Sequence, residues 1–309
     1  MAERGLTSGR RGATVAPPTF LLLTAPRWQD YELLDSGAGA KLERFGPYRF
    51  VRPEGQAIWQ PALPHTSWAT AEAEFRTDAD ANGGQWHFRK QLKERWQMRY
   101  RDLHFWVQPT PFRHLGVFPE QAVHWDWMQE LIAAARRPVK VLNLFGYTGI
   151  ATLAAAQAGA QVTHVDASKK GIVWARENQT LSGLEEQPIR WILDDALKFV
   201  RREVRRGAHY DGFIIDPPPF GRGPKGEIWR IEESLPALLN ECRQLLSPTP
   251  LFVVLTAYAI KFSALGLYYV LEELVQGYGG ALSGGEIGVS EQQRGRVLST
   301  AIFARWAAA

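Results

Sequence analysis

Asp216-Pro217-Pro218-Pro219-Phe220 places a carboxylate, three rigid carbonyls and an aromatic ring within five residues. Successive prolines remove three N–H donors and hold their carbonyls in fixed directions. Acceptors beside an aromatic face suit a planar group bearing N–H donors, such as a nucleobase amine. Asp216, Pro217 and Phe220 are therefore the candidate catalytic residues. A second cluster, Asn143-Leu144-Phe145-Gly146-Tyr147-Thr148-Gly149, spaces its glycines as GxxG. Gly146 and Gly149 would let a ligand approach the backbone. The spacing departs from the GxGxxG pyrophosphate fingerprint, so a ligand without a pyrophosphate suits it better. Asp166 follows Gly146 by twenty residues. It could take both hydroxyls of a ribose, or help cap a helix beginning near Ser168. In Asp194-Asp195-Ala196 one acid can cap a helix while the other hydrogen-bonds an adenine amine.

These clusters need strand ends to hold them. From about residue 118 the sequence predicts a helix over 119–137, then strand 139–145, helix 148–158, strand 161–166, helix 168–181, strand 189–193 and helix 196–206. Strand 210–216, helix 228–246, strand 251–257 and helix 263–277 follow, and strands 281–289 and 297–305 close the chain without a helix between them. This alternation predicts an α/β, Rossmann-like seven-stranded sheet, covered on both faces, with an antiparallel last strand. Ligands bind outside the carboxyl ends of such strands, where every cluster above falls.

Residues 20–114 differ in texture. They hold six of the twelve Trp, many turn signals such as Asn82-Gly83-Gly84, and little helical period. A small β-rich N-terminal domain is expected there, preceded by a disordered tail over 1–19 and followed by the second domain over 115–309. Within 95–101, Trp96, Met98 and Tyr100 alternate with Arg95, Gln97, Arg99 and Arg101, so apolar and basic residues take opposite faces. Arg95, Arg99 and Arg101, with Arg89, Lys90 and Lys93 just before them, could track nucleic-acid phosphates or form an ordinary solvated face.

Composition narrows the field. At 309 residues, 45% hydrophobic and 22% charged, the chain is long and apolar enough for about two folded domains, and neither disordered nor collagen-like. Cys242 is the only cysteine. That rules out an intramolecular disulfide and any cysteine-cluster metal site, and favours a reducing, cytoplasmic setting. The formal charge of +4 permits a polyanionic partner. The seven His show no metal spacing, and the hydrolase GxSxG elbow is absent. Residues 251–260, the longest apolar stretch, reach about half of the ~20 residues a membrane span needs. Arg10-Arg11 and the apolar patch at 20–23 are interrupted by Pro17-Pro18 and make a poor export signal. No membrane and no metal are expected as partners, and a homo-oligomer is compatible with everything above.

Residues 139–220 resemble a class I S-adenosylmethionine-dependent methyltransferase, through the glycine turn, Asp166, Asp195-Ala196 and Asp216-Pro217-Pro218. More narrowly, the chain resembles the bacterial ribosomal RNA large-subunit methyltransferases. That likeness rests also on Gly116-Val-Phe-Pro-Glu-Gln121, Tyr31-Glu-Leu-Leu-Asp-Ser-Gly37 and Lys41-Leu-Glu-Arg-Phe-Gly46. It implies S-adenosyl-L-methionine as cofactor, S-adenosyl-L-homocysteine as product and RNA, ribosomal RNA above all, as substrate. It implies that Phe145, Gly146, Tyr147, Thr148 and Gly149, after Asn143, wrap the methionine part of the cofactor. Asp166, beside Ser168, would hold the ribose. Asp195 and Ala196, beside Asp194, would edge the adenine, Phe118 and Gln121 would close the pocket, and Asp216 and Pro218 would border it. Better-known members begin with an additional RNA-binding domain, for which the tail before residue 20 is too short.

Carbon-5 methylation of a pyrimidine needs a cysteine nucleophile, which such relatives carry near the fourth or fifth strand end. Here the fourth ends in Asp216-Pro-Pro-Pro-Phe220 and the fifth in Leu255-Thr-Ala-Tyr258. Cys242 is expected mid-helix on the buried side, so a nitrogen acceptor is favoured. A small-molecule or protein acceptor and a non-catalytic RNA-binding relative remain the alternatives. An NAD-dependent dehydrogenase would call for GxGxxG.

Overall fold

The computed structural model describes residues 18–77, 83–258 and 261–309. The expected tail up to residue 17, and Asn82 of the turn signal, lie outside the described residues.

Continuous apolar runs such as Phe252–Ala257, buried at every position, can only be strands covered on both faces. The large sheet comprises β1 (Phe20–Thr24), β2 (Lys140–Leu144), β3 (Gln161–Asp166), β4 (Ile189–Leu193), β5 (Gly212–Ile215), β6 (Phe252–Ala257), β7 (Ala281–Ser290) and β8 (Val297–Ala307). Its order is β1-β7-β8-β6-β5-β2-β3-β4. Strand β8 runs antiparallel to both neighbours and the other pairs are parallel. The order reverses between β2 and β5, which opens a crevice at their carboxyl ends.

The helices are α1 (Ala122–Ala134), α2 (Ile150–Gln157), α3 (Lys169–Leu181), α4 (Ala196–Arg205), α5 (Ile231–Leu245) and α6 (Ala264–Leu274). Alternation along the strands splits the core. Val141, Val162, Ile214 and Val254 pack with Met128 of α1 and Leu153 of α2. Leu142, Val165, Phe213 and Val253 face the opposite way, onto Phe199 of α4, Leu238 of α5 and Leu271 of α6.

Two assignments from sequence change. The helix expected from residue 228 starts later, because Ile228–Arg230 is a strand paired with Phe220–Arg222. The Gly-rich loop is thus a small hairpin. Residues 20–24 leave the N-terminal unit and become β1, an eighth, edge strand beside β7. A Cβ at Gly285 would fall 1.9 Å from the Leu21 carbonyl oxygen, so only glycine in β7 admits this neighbour. The pairing joins residues 264 apart, Phe20 to Gly284, which no local pattern announces.

The β-rich unit is a five-stranded sheet of Tyr31–Gly37, Ala40–Phe45, Tyr48–Pro53, Ala73–Thr77 and Gly84–Phe88, followed by a hairpin of Trp96–Tyr100 and Leu103–Val107. The hairpin alternates as predicted, with Trp96, Met98 and Tyr100 buried, and turns at Arg101 with φ +52°. It is fastened to α3: the Trp106 amide donates to Asn178 Oδ1 at 2.8 Å, and Trp174 Nε1 donates to the Trp106 carbonyl at 3.0 Å. The strand-shaped unit is thereby anchored to the helix that leaves the Asp166 strand.

Candidate active site

The glycine turn closes β2 onto α2 in strained backbone. Phe145 and Tyr147 hold φ of +60° and +46° without being glycine, a cost that accumulates where geometry serves a site. Gly149 caps α2 at φ +81°. The glycines also serve the packing of the turn. A Cβ at Gly146 would meet the His164 ring at 2.4 Å, and one at Gly149 would meet Ala175 Cβ at 2.7 Å. At both positions the protein's own neighbours leave no room for a side chain. Gly146→Ala should accordingly lower stability by about 1–3 kcal/mol through overpacking; a shifted denaturant midpoint at constant slope would show it.

Polar groups fix the turn from three sides. The Tyr147 amide donates to Asp166 Oδ2 at 2.8 Å and the Ser168 amide to Asp166 Oδ1 at 2.7 Å. Ser168 caps α3, its Oγ accepting from the Gly171 amide. Burial pushes the Asp166 carboxyl above its ordinary range, against the opposing pull of those two amides. Thr148 Oγ1 donates to the Gly116 carbonyl at 2.7 Å, and Asn178 Nδ2 to the Thr148 carbonyl at 2.9 Å. Asn143 is buried and donates to Thr152, which meets His164 Nδ1 at 2.9 Å. Asn143 therefore braces the turn.

At the end of β5, Asp216 Oδ2 accepts from Gln121 Nε2 at 3.3 Å, and the same amide donates to the Tyr258 hydroxyl at 2.9 Å. The buried Glu120 carboxyl lies close to Tyr258 and Asp216. Asp216 Oδ1 is buried and finds no partner among the described residues, although an orphaned carboxylate oxygen is costly. Burial, reinforced by the nearby Glu120 carboxylate, pushes the Asp216 carboxyl up to about 8. Glu120 and Tyr258 were missed as site residues. Glu120 lies inside the quoted 116–121 motif, and Tyr258 had only its place after a strand as a signal.

One cleft collects eight of the candidates: Phe118, Gln121, Asn143, Phe145, Gly146, Tyr147, Thr148 and Asp216 line it, with Gly116 and Trp125. The prolines after Asp216 divide their roles. The Pro218 carbonyl accepts from Trp229 Nε1 at 2.8 Å and the Pro219 carbonyl from the Ile231 amide at 3.1 Å. Among the described residues no protein donor reaches the Pro217 carbonyl. Phe220 is half exposed on the small hairpin, with the Arg230 guanidinium 5.8 Å from its ring.

Other candidates have internal employment. Asp195 is the cap of α4, accepting from the Lys198 amide at 2.9 Å. Asp194 pairs with Arg202 at 2.7 Å and accepts from the Asp195 amide; Ala196 is buried at the head of α4. Of the basic residues, Arg95 pairs with Glu177 and lies over Trp106 at 4.2 Å, Arg101 pairs with Asp126, and Arg99 bonds Gln29. Among the described residues no group of His, Cys, Asp and Glu is arranged to hold a metal, and no helix is long and apolar enough to cross a membrane.

A carboxylate at the end of β3, a glycine turn after β2 and an Asp-Pro-Pro step after β5 define a nucleoside-cofactor site of the class I methyltransferase type. Residues 69–276 match the model of a family described as S-adenosylmethionine-dependent methyltransferase, and the chain belongs to that family. A crystal structure of the SAM-dependent methyltransferase from Agrobacterium tumefaciens is 50% identical, covers 93% of each chain and superposes with a TM-score of 0.89. A putative SAM-dependent methyltransferase from Streptococcus mutans shares the fold at 15% identity, over 91% of this chain and 76% of that one, with a TM-score of 0.68. The ribosomal RNA large subunit methyltransferase K/L of Shewanella baltica is 35% identical over 147 residues, 47% of this chain and 20% of that protein. The chain spans about a fifth of the length of the curated relatives it matches.

S-adenosylmethionine is the cofactor, and the residues present fit it. Asp166 keeps unused lone pairs at the end of β3 beside the glycine turn, and Asp216 lines the cleft that this turn edges.

Proposed function

We propose that the chain transfers a methyl group to a base nitrogen of RNA, ribosomal RNA foremost, in the cytoplasm. The observation that carries this reading is the Asp216 Oδ1 acceptor, buried and without a donor, next to the free Pro217 carbonyl. An exocyclic amine brings two N–H donors to two such acceptors. When bound, S-adenosylmethionine would supply an electrophilic methyl carbon; the nitrogen lone pair would form the N–C bond as the C–S bond breaks, leaving S-adenosylhomocysteine, and the surplus N–H proton would pass to solvent.

Asp216 and the Pro217 carbonyl would hold the amine hydrogens and so aim the lone pair. The carboxylate form of Asp216 accepts more strongly and stabilises the positive charge that develops on nitrogen. Gln121 keeps Asp216 in place by donating to its second oxygen. Asp166, with the strained turn behind it, would hold the ribose, Phe118 would close the cleft, and Phe220 would stack on the base. A base inside folded RNA must first be unstacked.

Cysteine chemistry finds no support. Cys242 is buried in α5 and its burial raises the thiol far above its ordinary range. Cys242→Ala should leave methyl transfer within about twofold, whereas a nucleophile would lose nearly all of it. The RNA reading is tested by comparing modified nucleosides in RNA from cells with and without the protein. One missing methylated nucleoside, modified on nitrogen, is the expected result. Identical profiles would overturn the reading and point to a small-molecule or protein acceptor.

A further inference from the structure

Phe112 is 67% exposed, yet it begins a line of rings that ends at Asp216. Its ring stacks on His114 with centroids 5.8 Å apart and planes 26° apart. His114 lies 5.4 Å from Phe118, and Phe118 lies 5.4 Å from Tyr258. The Tyr258 hydroxyl shares the Gln121 amide with Asp216. Four rings thus run from solvent toward Asp216.

The loop presenting them is braced. Thr110 is buried, its amide and hydroxyl both donating to the His114 carbonyl at 3.2 and 2.8 Å, while its hydroxyl accepts from the Phe112 amide at 3.2 Å. Trp86 Nε1 donates to the Thr110 carbonyl at 2.7 Å, and Pro109 and Pro111 stiffen the entry. An exposed aromatic held this firmly costs little entropy on binding. Burial and the cations Arg52 and Arg113 push the His114 imidazole down to about 4, so at neutral pH it is an uncharged stacking face.

Charge accompanies the rings. Arg113 is exposed beside Phe112. Pro109 walls a surface depression with Phe88, Leu92, Lys93, Glu94 and Lys90, the last paired with Glu72 at 2.7 Å; Phe88 is 55% exposed and Lys93 is exposed. Arg95 and Arg101, by contrast, are spent on Glu177 and Asp126. Interleaved aromatic rings and cations form the surface that an unpaired polynucleotide recognises, its bases stacking and its phosphates paired. A duplex keeps its bases stacked inside and gains nothing from exposed rings.

We propose that Phe112, His114, Phe118 and Tyr258 form the track along which single-stranded RNA reaches Asp216, with Arg113 and Lys93 against its phosphates. The proposal rests on the reading that RNA is the acceptor. Fluorescence anisotropy of the full chain with a labelled single-stranded RNA of mixed sequence, about 12 nucleotides long, tests it against the same sequence as a duplex. Phe112→Ala should weaken single-strand binding about 10-fold without changing its salt dependence. Arg113→Ala with Lys93→Ala should flatten the slope of log affinity against log salt by about 1.4. Unchanged affinity in Phe112→Ala, equal binding of the duplex, or no binding of RNA by the native chain would each overturn the track. Incorporation of tritiated methyl into cellular RNA is read in parallel. Incorporation with unchanged Phe112→Ala affinity removes the track and leaves the acceptor reading standing. Binding through Phe112 with no incorporation into any RNA removes that reading and leaves the track.

Discussion

Asp216→Ala is expected to lower kcat by about 10²–10³ while the affinity for S-adenosylmethionine stays within about threefold. The change removes a buried carboxylate oxygen that no donor among the described residues satisfies, so the loss belongs to acceptor positioning. Turnover unchanged in this variant would take Asp216 out of the mechanism. Asp216→Asn is the sharper probe, because it keeps an acceptor oxygen and cannot ionise. It should retain about a tenth of the native rate, since a neutral acceptor is roughly half as strong.

The pH behaviour distinguishes the two forms. With the Asp216 carboxyl at about 8, kcat/KM of the native protein should climb up to that pH, as the free enzyme's essential base ionises. The Asn variant should show no such limb. Stability moves the other way. The folded value stands above the ordinary 3.8, so between the two the native state keeps a proton that the unfolded chain has released. Stability therefore falls as pH rises through this window, and the penalty is complete above about 8. Thermal unfolding should find the Asn variant gaining several °C on the native protein at pH 8.5 and almost nothing at pH 4. Parallel curves would contradict the burial argument.

Asp166→Ala should cut cofactor affinity by at least about 100-fold, the worth of one or two charge-assisted hydrogen bonds. Two losses coincide in it. The ribose position loses its acceptor, and the Tyr147 and Ser168 amides lose the carboxylate that holds them. Tyr147 sits at φ +46°, and without that bond the strained turn can relax out of register with the cleft. Asp166→Asn, which can still accept one of the two amides, should fall between native and Ala. Calorimetry with S-adenosylmethionine measures all three. An Ala variant that binds within a few-fold of native would show that the ribose is held elsewhere.

Several site residues were legible because their signals are local. The run before Asn143, the glycine spacing after it and the prolines after Asp216 each declare a strand and its abrupt end within ten residues, and the structure puts them at the crevice. What locality leaves out is the packing partner. The need for glycine at Gly146 and Gly149 comes also from His164 and Ala175, which arrive from other elements. Asp195 and the arginines follow the same logic. A cap or an ion pair is decided by which partner arrives, and Glu177 arrives from 82 residues beyond Arg95.

By itself, then, the amino-acid order determined the α/β alternation, the strand ends and the absence of a cysteine from those ends, because periodicity and turn chemistry act over a few residues. Tertiary structure alone decided that Gln121 joins Asp216 and Tyr258 across 95 and 137 residues of chain, that β1 completes the large sheet, and that a ladder of rings leads to the cleft. Those contacts form only when the sheet closes and brings distant side chains into one buried volume, where a missing hydrogen-bond partner acquires a cost and so a meaning.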